Sequence, residues 1–403
     1  MSTSGSLSSS AYEETTAMLE PLAAFGNFLP IRIRFGDGAI SRLPEILKDE
    51  GVQSTVVIID RAVCEHPGIV AAINACPGMI TTWIKEPGEP TTDDVEASAA
   101  VLADVKADSL IAIGGGSAID TAKAARLVYG SGIPYSEWTA GKATYTESPV
   151  MFVTIPTTSG TGSEVSGGIV VTDSATHRKT GIAHHTVRAK YALVDPELTH
   201  GLPPAPTMYA GVDAIAQAIA AVAVTARSPI GNGIAFESIR YGMEALPTAI
   251  TNGSDPGARS RMAACSLLGG MCMNIADCGS EHSIAQAIGG KYGLPHGLTI
   301  GLVMAETMDI DRAGEPELFE RIADAMGAPE DGTKDGSRSV KAAKALLKEI
   351  DFPTLRSTGV KEEDLPELAE AAMQDYFITV APHTWTVDDV LRCYQAAWAI
   401  EAR

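Results

Sequence analysis

Long apolar runs are missing from this 403-residue chain. None reaches the roughly 18–20 residues that a membrane helix requires, so no membrane partner is expected. Positive charge is scarce as well: Lys and Arg total 30 against 50 Asp and Glu, a net charge of −20. Binding to nucleic-acid phosphates needs a basic face, so a general nucleic-acid binder is excluded. The acidic excess favours solubility, and a local basic pocket could still accept a small anion. Cysteines are few, and no two form a CxxC pair. Cys64, Cys76, Cys265, Cys272, Cys278 and Cys393 are scattered through apolar surroundings, the pattern of reduced, mostly buried thiols in a cytoplasmic protein. The opening residues, MSTSGSLSSSAYEETT, lack a basic region followed by an apolar core, which predicts a loose Ser/Thr-rich tail and no secretory signal. Internal repeats are absent too.

What is present is an ordinary globular composition, 45% hydrophobic and 20% charged, in a chain too long for one typical core. Residues 1–30 read as tail and lead-in. Residues 31–45 (IRIRFGDGAISRLPE) begin with strand alternation, then a Gly-Asp-Gly turn and a helix start. Ser54 to Asp60 (STVVIID) is a short β-branched run of the kind buried on both faces of a parallel sheet. It ends in Asp60, which could hold the ribose hydroxyls of a nucleotide or simply serve a turn. Residues 94–107 have helical spacing of apolar positions.

Ser109 to Val128 reads as buried strand, glycine turn and helix. Gly114, Gly115, Gly116 and Ser117 would let the backbone approach a diphosphate, with the helix N-terminus aimed at the anion. The turn is neither GxGxxG nor the Walker pattern, and a plain tight connection is the alternative. A strand from Pro149 to Pro156 leads into Thr157-Thr158-Ser159-Gly160-Thr161-Gly162-Ser163-Glu164, a run suited to wrapping a polar ligand. Strands at Gly168–Asp173 and Lys190–Leu198 flank a polar, hairpin-like stretch containing Lys179. Residues 31–204 therefore form an α/β domain with a largely parallel sheet.

After Gly201-Leu202-Pro203-Pro204 the texture turns to long Ala-, Met- and Leu-rich helical patterns, so residues 205–403 form an all-helical domain. Residues 328–338 look like a surface loop. Asp213 and Gln217 lie one turn apart on a helix face in an otherwise apolar run. A buried carboxylate there requires a cation, donors or a metal. His282 and His296 are fourteen positions apart, separated by an apolar segment and a turn-like Pro-His-Gly. One could be a core histidine and the other a loop histidine. If instead they converge with Asp213, one oxygen and two nitrogens suit a catalytic divalent ion.

Taken together, GGGSAIDTAKA, IPTTSGTGSEV, LVDPELTHGLPP, AGVDAIAQAI, EHSIAQAIGGKYGLPHG and PHTWTVDDVLRCYQAAW resemble the iron-containing (group III) alcohol dehydrogenase family, over about residues 31 to 398. The resemblance implies a dehydroquinate synthase-like fold: an N-terminal dinucleotide-binding α/β domain, a helical metal and substrate domain, and a cleft between them. It implies NAD(P) and a divalent metal (Fe²⁺ or Zn²⁺, with Mn²⁺ a further candidate), a small alcohol or aldehyde as substrate, and a homodimer. Gly115, Gly116, Ser117 and Asp120 would hold the diphosphate region. Thr157, Thr158 and Thr161 would line the cofactor groove, with Lys179 reaching the cofactor. Asp60 falls where members preferring NAD(H) carry an acid. Asp213, Gln217, His282 and His296 fall on the metal positions, and Asp213, His282 and His296 would carry catalysis.

Three positions depart from the family pattern. Gln217 stands where a histidine ligand is usual, Ala220 where a glutamate follows it, and Gln286 where a second histidine follows the first in the central motif. An amide is a weaker ligand than imidazole, although three protein ligands suffice for a catalytic site. The expected activity is NAD(H)-dependent, metal-assisted interconversion of an alcohol with an aldehyde or ketone. The alternatives are a metal-independent reductase of an acidic carbonyl, similar to maleylacetate reductases, and a non-redox lyase or binding protein on the same fold. His184, His185, Arg188 and Lys291 are basic residues near the motifs and would meet an anionic head group or remain solvated.

Overall fold

The computed structural model describes residues 29–176 and 178–402. The serine-rich tail predicted at the start therefore lies outside the described residues, apart from the last two positions of the lead-in. Eight strands come first: β1 (Arg32–Phe35), β2 (Ser54–Asp60), β3 (Met79–Lys85), β4 (Ser109–Gly114), β5 (Met151–Pro156), β6 (Gly168–Thr172), β7 (Lys179–Ala183) and β8 (Tyr191–Val194). Six of them form one sheet in the order β1-β8-β5-β4-β2-β3, and every pair in it is parallel. β6 and β7 pair antiparallel as a separate hairpin. The helices α1 (Leu43–Asp49), α2 (Pro67–Asn74), α3 (Thr92–Asp104), α4 (Gly116–Ser131) and α5 (Tyr135–Thr139) are interleaved with the strands.

The strand chemistry explains this order. Every residue of β4 is buried, as are the five central residues of β2, which is what sequences such as SLIAIG and STVVIID achieve only between two layers of helices. β3 reads MITTWIK and is mostly half-exposed, an edge strand whose mixed pattern gives no clear strand signal in the sequence. β8 is shorter than the Lys190–Leu198 run suggests. After Val194 the chain turns into a single 3₁₀ turn at Pro196–Thr199, whose Glu197 N–H is capped by the Asp195 side chain.

From Pro204 onward every described element is helical: α6 (Pro204–Ala223), α7 (Pro229–Thr251), α8 (Pro256–Ile275), α9 (Ser280–Tyr292), α10 (His296–Asp311), α11 (Pro316–Ala325), α12 (Ser337–Glu349), α13 (Leu365–Ala372) and α14 (Val387–Trp398), with short 3₁₀ turns between some of them. Every residue of α6 from Gly211 to Ala223 is buried, so this helix is the axis of the helical half and needs no polar face. Among the described residues, no single helix is long and apolar enough to cross a membrane.

The two halves meet where the loop after β5 touches α8. Gly162 has φ +60, and a Cβ there would lie 2.4 Å from the Gly270 Cα. A side chain on either residue would force the loop and the helix apart.

Candidate active site

The register of the sheet places the C-terminal ends of its central strands side by side. Ile59 pairs with Ile113, and Gly114 with Pro156. Asp60, the Gly114–Gly116 turn and the Thr157–Glu164 loop therefore emerge together, the usual ligand position in such a sheet. The Gly115 N–H lies 3.5 Å from Asp60 Oδ2. A Cβ on Gly114 would sit 2.8 Å from both the Asp60 and Ala118 Cβ atoms, and one on Gly116 would sit 2.8 Å from Thr161 Cγ2. Thr158 lies against Gly115, and the Thr157 N–H bonds the Gly114 carbonyl at 3.0 Å. α4 starts from Gly115 without a side-chain cap, leaving its first N–H groups available to an anion. Burial pushes the Asp60 carboxyl above its ordinary pKa, against the opposing pull of the Gly115 N–H and Lys85.

The remaining expected cofactor residues divide. Ser117 Oγ donates to the Gly88 carbonyl at 2.7 Å. Lys179 pairs with Glu89 at 3.3 Å and is near enough to His296 to influence its protonation. Asp120 differs from expectation. One of its carboxylate oxygens accepts from Ser163 Oγ at 2.5 Å and the other from the Val170 N–H at 2.9 Å. Its side chain holds the loop and the hairpin onto α4, with both oxygens engaged by protein donors. Beside it, the fully buried Lys123 ammonium donates to Ser163, Ser166 and the Gly168 carbonyl.

In the helical half, α6, α9 and α10 bring three side chains to one point. Asp213 Oδ1 lies 3.5 Å from His296 Nε2 and 3.8 Å from His282 Nε2. One ligand atom from each of the three can be chosen so that all lie within 4.8 Å of one another. Asp213 is buried, and its Oδ1 has no hydrogen-bond partner. An orphaned carboxylate oxygen facing two imidazole nitrogens fits a divalent cation, which would supply the missing partner. His296, inside the stretch that reads as a Pro-His-Gly turn, is the first residue of α10. Gly297 makes the approach possible, because a Cβ there would lie 2.2 Å from the Tyr209 carbonyl oxygen on α6. Burial lowers the pKa of His296, and the positive end of α10 works in the same direction. At His282 burial also disfavours the charge, but Cys278 and Glu281 outweigh it and carry the imidazole well above its ordinary value. Sequence reasoning misses Glu281, whose Oε1 lies 2.7 Å from His282 Nδ1.

Comparisons with known proteins agree with this geometry. Residues 30–196 match the model of iron-containing alcohol dehydrogenases, and residues 207–398 match the C-terminal model of the Fe-containing alcohol dehydrogenase family. The chain belongs to the iron-containing alcohol dehydrogenase family. It is 31% identical to the NAD-dependent methanol dehydrogenase of Bacillus methanolicus over 379 residues, covering 92% of this chain and 99% of that protein. It is likewise 31% identical to the choline dehydrogenase of Bacillus subtilis, covering 89% and 91% of the two chains. The solved alcohol dehydrogenase from Oenococcus oeni superposes with a TM-score of 0.86 at 27% identity, covering 93% of this chain and all of that one. Membership makes the protein an oxidoreductase of alcohols and carbonyls that uses a nicotinamide cofactor.

The departures from the family pattern now have positions. Gln217 is buried on α6, one turn from Asp213, and its Nε2 donates to the Gly160 carbonyl at 2.5 Å. The amide nitrogen is therefore committed to the cofactor loop, and only the amide oxygen is left for a cation. Ala220 lines a small, mostly apolar cavity together with Ala216, Gly279, Met304, Met308 and Asp311. Gln286 is half-buried on α9, one turn beyond His282. Among the basic residues near the motifs, Lys291 is paired with Asp364 at 3.0 Å and Glu367 at 2.6 Å, and His184 stacks on Tyr145 at 4.1 Å. Neither pairing presents a basic group to the Asp213 cluster.

Proposed function

We propose that this protein interconverts a small alcohol and its aldehyde or ketone, with NAD(H) held by the α/β half and a divalent metal held by Asp213, His282 and His296. The observation that carries the reading is the unpartnered Asp213 Oδ1 facing two histidine nitrogens, in a chain that also carries a glycine turn with an uncapped helix N-terminus. When bound, the ion supplies Lewis acidity toward a substrate oxygen and the nicotinamide supplies or accepts the hydride.

The chain's own residues do the rest. Asp213, His282 and His296 come from three helices packed around a buried axis, so their donor atoms are placed in advance. Asp60, at the end of β2 beside the glycine turn, would accept from the adenosine ribose hydroxyls and repel a 2′-phosphate, which favours NAD(H) over NADP(H). Gly115 and Gly116 keep side chains off the turn, so the uncapped N–H groups at the start of α4 would meet a diphosphate, with Thr158 and Thr161 packed against the two glycines. Gln286 is not ionisable, so it would not itself deliver a proton to the substrate oxygen. Iron and zinc both suit two imidazoles and a carboxylate, with Mn²⁺ a weaker third. A homodimer in the cytoplasm is the assembly and location that go with this reading.

The deciding assay follows NADH consumption across a panel of neutral and anionic small aldehydes, with Fe²⁺, Zn²⁺ or Mn²⁺ added and after chelation. Turnover restored by metal is expected. A rate untouched by chelation, with no metal in the purified chain, would replace this reading with the metal-independent one.

A further inference from the structure

We infer that Glu281 is a positioning residue for the metal centre: its carboxylate holds the His282 ring so that Nε2 faces Asp213. This rests on the function proposed above.

A carboxylate in this place is costly. Glu281 is buried, 7% exposed, in the first turn of α9. It borders a cavity lined chiefly by Ala216, Ile219, Ala220, Met304 and Met308. A leucine would suit those surroundings, and a carboxylate placed there must have a use or destabilise the fold. Its partner is the neighbouring side chain, with Oε1 lying 2.7 Å from His282 Nδ1. An imidazole whose Nδ1–H donates to a carboxylate presents Nε2 at the opposite corner, and that is the nitrogen 3.8 Å from Asp213 Oδ1. A carboxylate behind a ligating histidine fixes the tautomer, orients the ring and raises its basicity. Phe377 lies edge-on to the same ring with centroids 6.0 Å apart, so packing restrains the plane while Glu281 selects which nitrogen points where. His296 is placed differently, by its position as the first residue of α10. The Glu281 carboxylate reaches His282 from a mostly apolar wall that includes Asp311; its place in the first turn of α9 suits the helix dipole, and the bond to Nδ1 is what directs it toward the site.

The test compares Glu281→Leu and Glu281→Gln with wild type in the full chain. Three quantities are read: Zn²⁺ affinity by competition with a chelator, NADH affinity by fluorescence, and the His282 Nδ1–H proton in protein labelled with [¹⁵N]histidine, assigned by its loss in His282→Asn. Leucine is expected to weaken Zn²⁺ binding by roughly 10–100-fold, to leave NADH affinity unchanged, and to abolish the exchange-protected, downfield Nδ1–H signal. Glutamine, whose carbonyl oxygen still accepts from Nδ1–H, is expected to keep that signal and most of the affinity. Zn²⁺ affinity unchanged in the leucine variant, a signal that persists in it, or a glutamine variant as weak as leucine would each overturn the inference. If leucine prevents folding, the glutamine variant alone decides, through retention or loss of the proton signal. That signal is read without metal, so a wild-type protein that binds no Zn²⁺ would fail the proposed function and still leave the Glu281–His282 bond judged.

Discussion

The Gln217 side chain donates to the Gly160 carbonyl at 2.5 Å, tying the helix that bears Asp213 to the loop that bears Thr158 and Thr161. Gln217, which the resemblance puts at a metal position, thus ties the side proposed to hold the cofactor to the side proposed to hold the metal. Replacing it with histidine would add a third imidazole to the cluster and remove that link. For Gln217→His, metal affinity is expected to rise by roughly tenfold, within the range that individual ligand-shell changes produce, while the KM for NADH also rises. Chelator competition and steady-state kinetics on the same preparation measure both. A lower KM would mean that the loop does not depend on this bond.

Asp213 gives a cleaner separation. Asp213→Asn keeps the shape of the side chain and removes the charge from its unpartnered oxygen. Metal binding should be largely lost and kcat/KM should fall on the order of 10²–10³-fold. NADH affinity should stay near wild type because the nucleotide is held by the other half of the chain. Metal analysis and fluorescence titration read the two arms, and equal loss of both would make Asp213 a folding residue.

Coenzyme choice should follow Asp60. In Asp60→Ser the selectivity for NADH over NADPH, as a ratio of kcat/KM values, is expected to shrink by roughly tenfold or more, about 1.4 kcal/mol. The wild-type ratio should also depend on pH. Burial raises the Asp60 pKa, so a falling pH protonates the carboxyl sooner than in a free side chain and weakens repulsion of the 2′-phosphate. Discrimination should therefore increase with pH in the wild type and stay flat in the serine variant.

Asp311, which accepts from Ser280 at the start of α9, provides a stability prediction. Burial raises its carboxyl to about 7, even though Ser280 Oγ and Trp385 Nε1 donate to it at 2.5 and 2.8 Å. The unfolded carboxyl titrates near pH 4, roughly. Between those values the native state holds a proton that the unfolded state releases. The stability this contributes is complete at acid pH, below the unfolded value, and is lost as pH rises through about 7. The loss is about 1.4 kcal/mol for each pH unit that separates the two titrations. Asp311→Asn cannot titrate, so its Tm relative to wild type should climb across that window. A difference in Tm that does not change with pH would contradict the assignment.

Much of this is legible in the residues alone. Buried strands such as STVVIID and SLIAIG declare themselves because only a two-faced sheet accommodates an unbroken β-branched run, whereas the spacing of His282 and His296 alone fits a core and a loop histidine as well, and only the other motifs single them out. What is not legible is direction. Asp120 lies on a helix next to the glycine turn, and nothing in its spacing says that both its oxygens turn inward to Ser163 and Val170. Glu281 adjoins a histidine in sequence, and adjacent helical residues normally face apart. Only the fold shows its carboxylate curling back to Nδ1. β3 is hidden for another reason: an edge strand does not need the unbroken apolar run of its buried neighbours.

The bare contact of Gly162 with Gly270 has a mechanical consequence. Most interfaces between two halves of an enzyme interlock through side chains, and any rotation must first unpack them. Here one backbone-on-backbone contact sits beside a side-chain seam in which Val165, Ala192 and Val194 pack on Ala263 and Leu267, and polar ties from Asn274 to Gly167 and Val165 and from Gln217 to Gly160 flank it. The glycine pair therefore sets how close the loop and α8 can come, and the seam beside it keeps them in register.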